Sequence, residues 1–127
     1  MGDYADELND WSVGIRLTDG NHSFVMCGDA ETEAEEDMAR SGLNLSADVL
    51  KSGHHGSRTS SSPEFLEAVS PSWAVISCGK GNSYGHPHEE TLKKYAEHRI
   101  QVLRTDEKGT IIASSSPEGL TWTYTKK

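Results

Sequence analysis

The chain is short of basic residues, of cysteine and of long apolar runs, and each shortage narrows what it can be. Twelve Lys and Arg against 20 Asp and Glu give a formal net charge of −8. That balance argues against a broad basic face that grips nucleic acid. Nucleic acid as a substrate stays open, because a bound dication supplies positive charge locally. No stretch approaches the roughly 18 consecutive apolar residues that a membrane-spanning helix needs. Residues 1–10 are acidic and lack an apolar segment, so they do not read as a signal peptide. Of the two cysteines, Cys27 ends the apolar run from Phe24 and Cys78 the run from Ala74. Neither has CxxC spacing, and both are expected as buried free thiols rather than a disulfide. With 34% hydrophobic residues in 127, the core must be lean and the chain one domain, residues 1–127. Residues 1–8 read as a flexible acidic tail.

What is present is an alternation of strand and helix patterns. Residues 11–17 alternate Val13, Ile15 and Leu17 with polar or small residues, the pattern of a half-buried strand. Asp19-Gly20-Asn21 is a turn, and residues 23–27 return as the second arm of a hairpin. Residues 31–40 predict a helix with acids in its first turns and a stripe of Ala30, Ala34 and Met38. Residues 47–51 form the next strand. Ser62 and Pro63 then mark a helix start, with Phe65, Leu66 and Val69 on its buried face and Pro71 after its end. Residues 73–78 read as a strand buried on both faces. A helix over 88–98 would turn Leu92, Tyr95 and Ala96 inward, and 101–104, 110–113 and 120–124 close the chain as strands. The order is ββαβαβαβββ, an α/β layered domain.

Four polar clusters follow four successive strands, where open α/β sheets assemble their sites. The first is Asp29, between Gly28 and Ala30. Its carboxylate could ligate or bridge metal ions, or it could cap the acidic helix. The second is the adjacent pair His54 and His55, hemmed by Gly53 and Gly56. On an extended backbone such neighbours point opposite ways, so one faces a site while the other packs. Imidazole is both the commonest metal ligand and a proton shuttle near neutral pH. The third cluster, residues 81–88, offers Asn82, His86 and loop N–H groups to an oxyanion or phosphate, or is an ordinary turn capped by His86. The fourth, Arg104-Thr105-Asp106, reads on its own as an Arg–Asp surface pair. His22 and His98 look like solvated surface residues.

The chain resembles the C-terminal half of a metallo-β-lactamase-fold domain, most closely that of ComEC-type DNA-internalisation competence proteins and their stand-alone soluble relatives. The resemblance rests on Asn9 with Ser12, on residues 24–30 ending in Gly-Asp-Ala, and on residues 47–57 with their GHHGS run. It continues through Thr59-Ser60, Pro71, Val75-Ile76-Ser77, Asn82, the YGHP element at residues 84–87, and Arg104-Thr105-Asp106 with Gly109. It implies one part of an αββα sandwich and of a binuclear metal hydrolase using zinc or manganese. Asp29 would match the carboxylate bridging the two metals. His55 would match a ligand, and His54 the residue meeting the scissile phosphate, or the reverse order of the pair. His86 would act beside His54 as a catalytic group, and Ser57, Asn82 and Arg104 would lie on the substrate side. The implied chemistry is hydrolysis by metal-activated water, with DNA the inferred substrate in the competence proteins.

The family's HxHxDH ligand loop belongs to the N-terminal half and has no counterpart in this sequence. A catalytic zinc site ordinarily has three protein ligands, so weak metal binding and no hydrolysis by this chain alone are expected. The missing N-terminal half is then the expected partner, and half a sandwich should leave an apolar sheet face open to it or to self-association. Two other readings remain: a non-catalytic binding or assembly module of the same fold, and a hydrolase acting on another phosphoester, a lactam or a thioester.

Overall fold

The computed structural model describes residues 14–79, 81–82 and 85–126. The expected acidic tail and the start of the first expected strand lie outside them. Strand β1 (Ile15–Asp19) turns back antiparallel into β2 (His22–Met26), and β3 (Val49–Lys51), β4 (Trp73–Ile76) and β5 (Gln101–Arg104) then add in parallel. The sheet order is β1-β2-β3-β4-β5, and a separate pair, β6 (Ile111–Ser116) with β7 (Gly119–Tyr124), forms an antiparallel hairpin. The connections carry α1 (Thr32–Arg40), α2 (Pro63–Val69) and α3 (Glu89–Glu97). A short helix, α4 (Thr105–Lys108), follows β5.

Period-two alternation sends Val25, Leu50, Ala74 and Ile76 to one face of the sheet. There they pack against Ala34 and Met38 of α1, Phe65, Leu66 and Val69 of α2, and Tyr95 of α3. α2 starts as expected: Pro63 takes its first position and the Ser62 hydroxyl accepts the Phe65 N–H at 3.3 Å. In α3 Thr91 and Tyr95, four apart, are buried, Leu92 packs half-buried against the core as expected, and Ala96 is exposed rather than inward.

The opposite face carries Leu17, Phe24, Met26, Val49, Trp73 and Val75 by the same alternation. The β6–β7 hairpin lies over it, with the rings of Trp73 and Trp122 at 5.0 Å and His22 Nδ1 at 2.7 Å from Ser115 Oγ. His22 is therefore half-buried at a layer contact, not a solvated residue; His98 is also half-buried, its Nδ1–H donating to the Lys94 carbonyl at 2.9 Å. Between hairpin and sheet runs an apolar groove of about 480 Å³. β4 is accordingly buried on its helix face and half-buried on the other, rather than buried on both. Strand β1, at the sheet edge, is exposed along its whole length, with Leu17 at 53%, where a half-buried strand was expected.

Candidate active site

The four parallel strands end on one edge, and the loops leaving that edge bring Asp29, His54, His55 and His86 around a pocket of about 230 Å³. Asp29 does not cap α1. The N-cap residue is Glu31, and the Thr32 N–H is met by the Thr59 carbonyl at 2.8 Å. The Asp29 carboxylate is left 45% exposed, with Oδ1 at 3.8 Å from His55 Nε2.

The histidine pair departs from the extended geometry expected of it. Gly53–Gly56 is a tight 3-10 turn in which His54 (φ 48°, ψ 43°) and His55 (φ 52°, ψ 32°) both adopt left-handed backbone. For residues with a Cβ this costs about 1–2 kcal/mol each, and such strain persists only where the surroundings over-determine it. Here they do. The His54 N–H donates to the Gly28 carbonyl and the Ser57 N–H to the His54 carbonyl, both at 3.0 Å. Gly56 (φ 84°) lies against Pro87 so closely that a Cβ there would stand 2.7 Å from the proline Cβ. The two loops of the motif are thus packed backbone to ring.

The His55 Nδ1 lies 2.7 Å from the Ser77 carbonyl. A carbonyl only accepts, so Nδ1 carries the proton, and in the neutral ring Nε2 presents a lone pair toward Asp29. An imidazole anchored by its far nitrogen on a backbone carbonyl is the usual state of a metal-ligating histidine. His54 Nδ1 is buried with no hydrogen-bond partner among the described residues. The His86 ring stacks on His55 (centroids 6.4 Å, 19° between planes) and meets His54 (5.5 Å) and His88 (4.7 Å) edge-on. Burial, and then the neighbouring imidazoles of His88, His54 and His55, hold the His86 pKa below its ordinary value, against a smaller opposite pull from Asp29. Lys51, at the end of β3, is lowered by burial and raised by Asp29.

Ser57, Asn82 and Arg104 do not line the pocket. Ser57 is buried and its hydroxyl pairs with Thr59 Oγ1 at 2.9 Å. Asn82 folds its amide onto its own loop: Oδ1 accepts the His86 N–H at 2.9 Å and Nδ2 donates to the Gly79 and His86 carbonyls. It shapes the turn that delivers His86. The Arg104 guanidinium is engaged by both oxygens of Asp106, at 3.0 and 2.7 Å. That pair holds the Arg104 pKa above and the Asp106 pKa below their ordinary values. This is the Arg–Asp pair offered as the alternative, with side chains only 25% and 11% exposed.

His88 lies within the 81–88 cluster but was given no role there. Its Nδ1 accepts the Arg58 N–H at 2.9 Å, and the only signal for it was its place two residues after His86. Glu35 was also missed. It reads as one more acid in a solvated first turn, yet it is 1% exposed, its oxygens accepting the N–H groups of Ser61 and Ser62 at 2.7 and 2.8 Å. Burial pushes its pKa up to about 7 against those two bonds. The donor set suits a share of a divalent-cation site, with one carboxylate and one oriented imidazole lone pair. Among the described residues no three His, Cys, Asp or Glu side chains converge to hold an ion.

No protein-family model matches the sequence. The chain is 44% identical over 103 residues to ComE operon protein 3 of Bacillus subtilis, an alignment covering 81% of this chain and 13% of that protein. It is 43% identical over 104 residues to competence protein ComA of Neisseria gonorrhoeae, again over 81% of this chain and 15% of the relative. Recombination protein 2 of Haemophilus influenzae is 36% identical over 103 residues, 81% of this chain and 13% of that protein. The chain spans 13–15% of the length of these relatives, and within that span it is related by sequence to bacterial competence proteins.

Proposed function

We propose that this chain forms the C-terminal part of a metallo-β-lactamase-type αββα domain. In that domain it provides one wall of a metal-dependent phosphodiesterase site, a nuclease acting on DNA during uptake. The observation that carries the reading is the convergence of Asp29 Oδ1 and His55 Nε2, 3.8 Å apart, with the imidazole fixed from behind by the Ser77 carbonyl. Asp29 and His55 would hold the zinc or manganese. A bound dication supplies Lewis-acid polarisation of a phosphoryl oxygen and acidifies water at neutral pH. His54 and His86 border the same pocket, where an imidazole can accept or return a proton. The net charge of −8 leaves positive charge at the site to the dication.

The remaining ligands would come from sequence outside this chain. The apolar groove beside the hairpin supports that division, since such a face is rarely left bare. The test is hydrolysis of a phosphodiester with manganese or zinc added, by the chain alone and by a longer protein that contains it. The longer protein is expected to turn over substrate and the 127-residue chain is not. Asp29→Ala in the longer protein should reduce turnover by no less than the roughly 10–100-fold that loss of an outer-shell partner of a metal ligand costs. Undiminished turnover by Asp29→Ala would end the assignment of Asp29.

A second reading is a non-catalytic assembly module of the same fold. No hydrolysis by the longer protein would select it.

A further inference from the structure

We propose that Tyr95 is a positioning residue of the site: its phenol pins both ends of the segment that carries His54 and His55. Tyr95, Ser52 and Ser61 are each 0% exposed. The Tyr95 hydroxyl is bonded to Ser52 Oγ at 2.5 Å and to Ser61 Oγ at 2.6 Å. Ser52 immediately precedes the GHHG turn, and Ser61 ends the loop that follows it. One side-chain oxygen therefore closes a ten-residue span, Ser52 to Ser61, at its two ends.

Other bonds share the task. Lys94, beside Tyr95 on α3, donates to the Ser60 carbonyl at 3.0 Å, and the His88 N–H at the start of that helix donates to the Gly56 carbonyl at 3.0 Å. From α1, Glu35 accepts the N–H groups of Ser61 and Ser62. Ser60 Oγ donates to the Ala30 carbonyl at 2.6 Å, which ties the histidine loop to the loop of Asp29. The middle of the span is its strained part, with His54 and His55 left-handed, and Ser61 at its end is left-handed too (φ 60°). Fixed ends make that conformation persist: a loop free at one end would relax toward right-handed or extended backbone.

Hydroxyls sealed from water also make the hub costly to break, since each loses a partner that solvent cannot replace. Tyr95→Phe keeps the ring and the core volume and removes one oxygen. The inference rests on the His54–His55 turn being the working part of the site, but its test needs neither metal nor substrate.

That test is amide hydrogen exchange on the 127-residue chain. In Tyr95→Phe the amides of His54, Ser57 and Ser60 are expected to exchange about tenfold faster, as local opening becomes easier, while the slowest sheet amides change less than threefold. A triple variant, Tyr95→Phe with Ser52→Ala and Ser61→Ala, removes the stranded hydroxyls. It should return the global stability toward that of the parent and leave the loop amides fast. Should Tyr95→Phe fail to fold, the triple variant carries the comparison. Equal acceleration of loop and sheet amides, or recovery of loop protection in the triple variant, would overturn the proposal and reduce the phenol to a packing role. Absence of hydrolysis in the longer protein would count against the proposed activity and leave this result standing.

Discussion

Gly56→Ala is the substitution that most directly tests whether the two loops of the site are locked together. At φ 84° an alanine is left-handed and costs about 1–2 kcal/mol more than glycine. The new Cβ would also stand 2.7 Å from Pro87 Cβ, 3.0 Å from Pro87 Cα and 3.3 Å from Ile76 Cγ2. Two of those three atoms belong to a proline and none to the end of a flexible side chain, so the loops must move apart. Forced overpacking of this kind costs roughly 1–3 kcal/mol. Together the two effects predict a loss of about 2–5 kcal/mol, a large share of the roughly 5–15 kcal/mol that holds a domain folded.

Gly42 supplies the control, because its φ of 82° is nearly the same and nothing lies within 4 Å of its added Cβ. Gly42→Ala should lose only the backbone contribution, about 1–2 kcal/mol. Urea unfolding of the parent and both variants measures the two costs, and their difference isolates the contact with Pro87. Nuclear Overhauser contacts between the His54 and His86 rings, 5.5 Å apart in the parent, report whether the site opens. Equal destabilisation by the two substitutions, with the His54–His86 contact unchanged in Gly56→Ala, would refute the claim that the loops are packed against one another.

Glu35 makes stability depend on pH in an unusual direction for a carboxylate. Its pKa is raised from 4.5 to about 7, so the native state holds a proton the unfolded chain has lost. Its stabilising contribution is complete below about pH 4.5 and disappears as pH rises through 7, a change of about 3 kcal/mol at most. The stability difference between parent and Glu35→Gln, measured in urea at pH 5 and pH 8, should carry that slope, and a pH-independent difference would contradict it. Burial pushes the Cys27 thiol up to about 12, whereas Cys78 is half-buried and raised less by burial and Asp106. Iodoacetamide at pH 8 followed by mass spectrometry should find Cys78 modified first and Cys27 only after unfolding. Trp122→Ala removes the ring over Trp73 and should cost about 1–2 kcal/mol while accelerating amide exchange in β6–β7 ahead of β2–β5. Uniform acceleration across both sheets would show that the hairpin is no separate layer.

Much of the architecture was legible in residues that act locally. The Ser62-Pro63 start of α2 and the burial of Phe65, Leu66 and Val69 follow from capping and from the helical repeat. The ends of β2, β3 and β4 that carry the site follow from apolar runs punctuated by glycine and polar residues. Less was legible where an element's surroundings decided the outcome. β1 and β4 have half-buried and fully apolar patterns, but their exposure depends on where the sheet ends and how far the hairpin reaches. Ser57, Asn82 and Arg104 carry side chains suited to a substrate, and the short range of hydrogen bonds let nearer partners claim them.

By itself the sequence determined which side chains reach the sheet edge, because strand period, glycine placement and cap chemistry are properties of a few neighbouring residues. Only the tertiary structure decided how those side chains are held. The left-handed turn at His54 and His55, the burial of Glu35 and the phenol of Tyr95 between Ser52 and Ser61 join residues 26 to 43 positions apart. Nothing in a local pattern encodes contacts of that separation. The desolvation that gives them their strength exists only once the layers have closed.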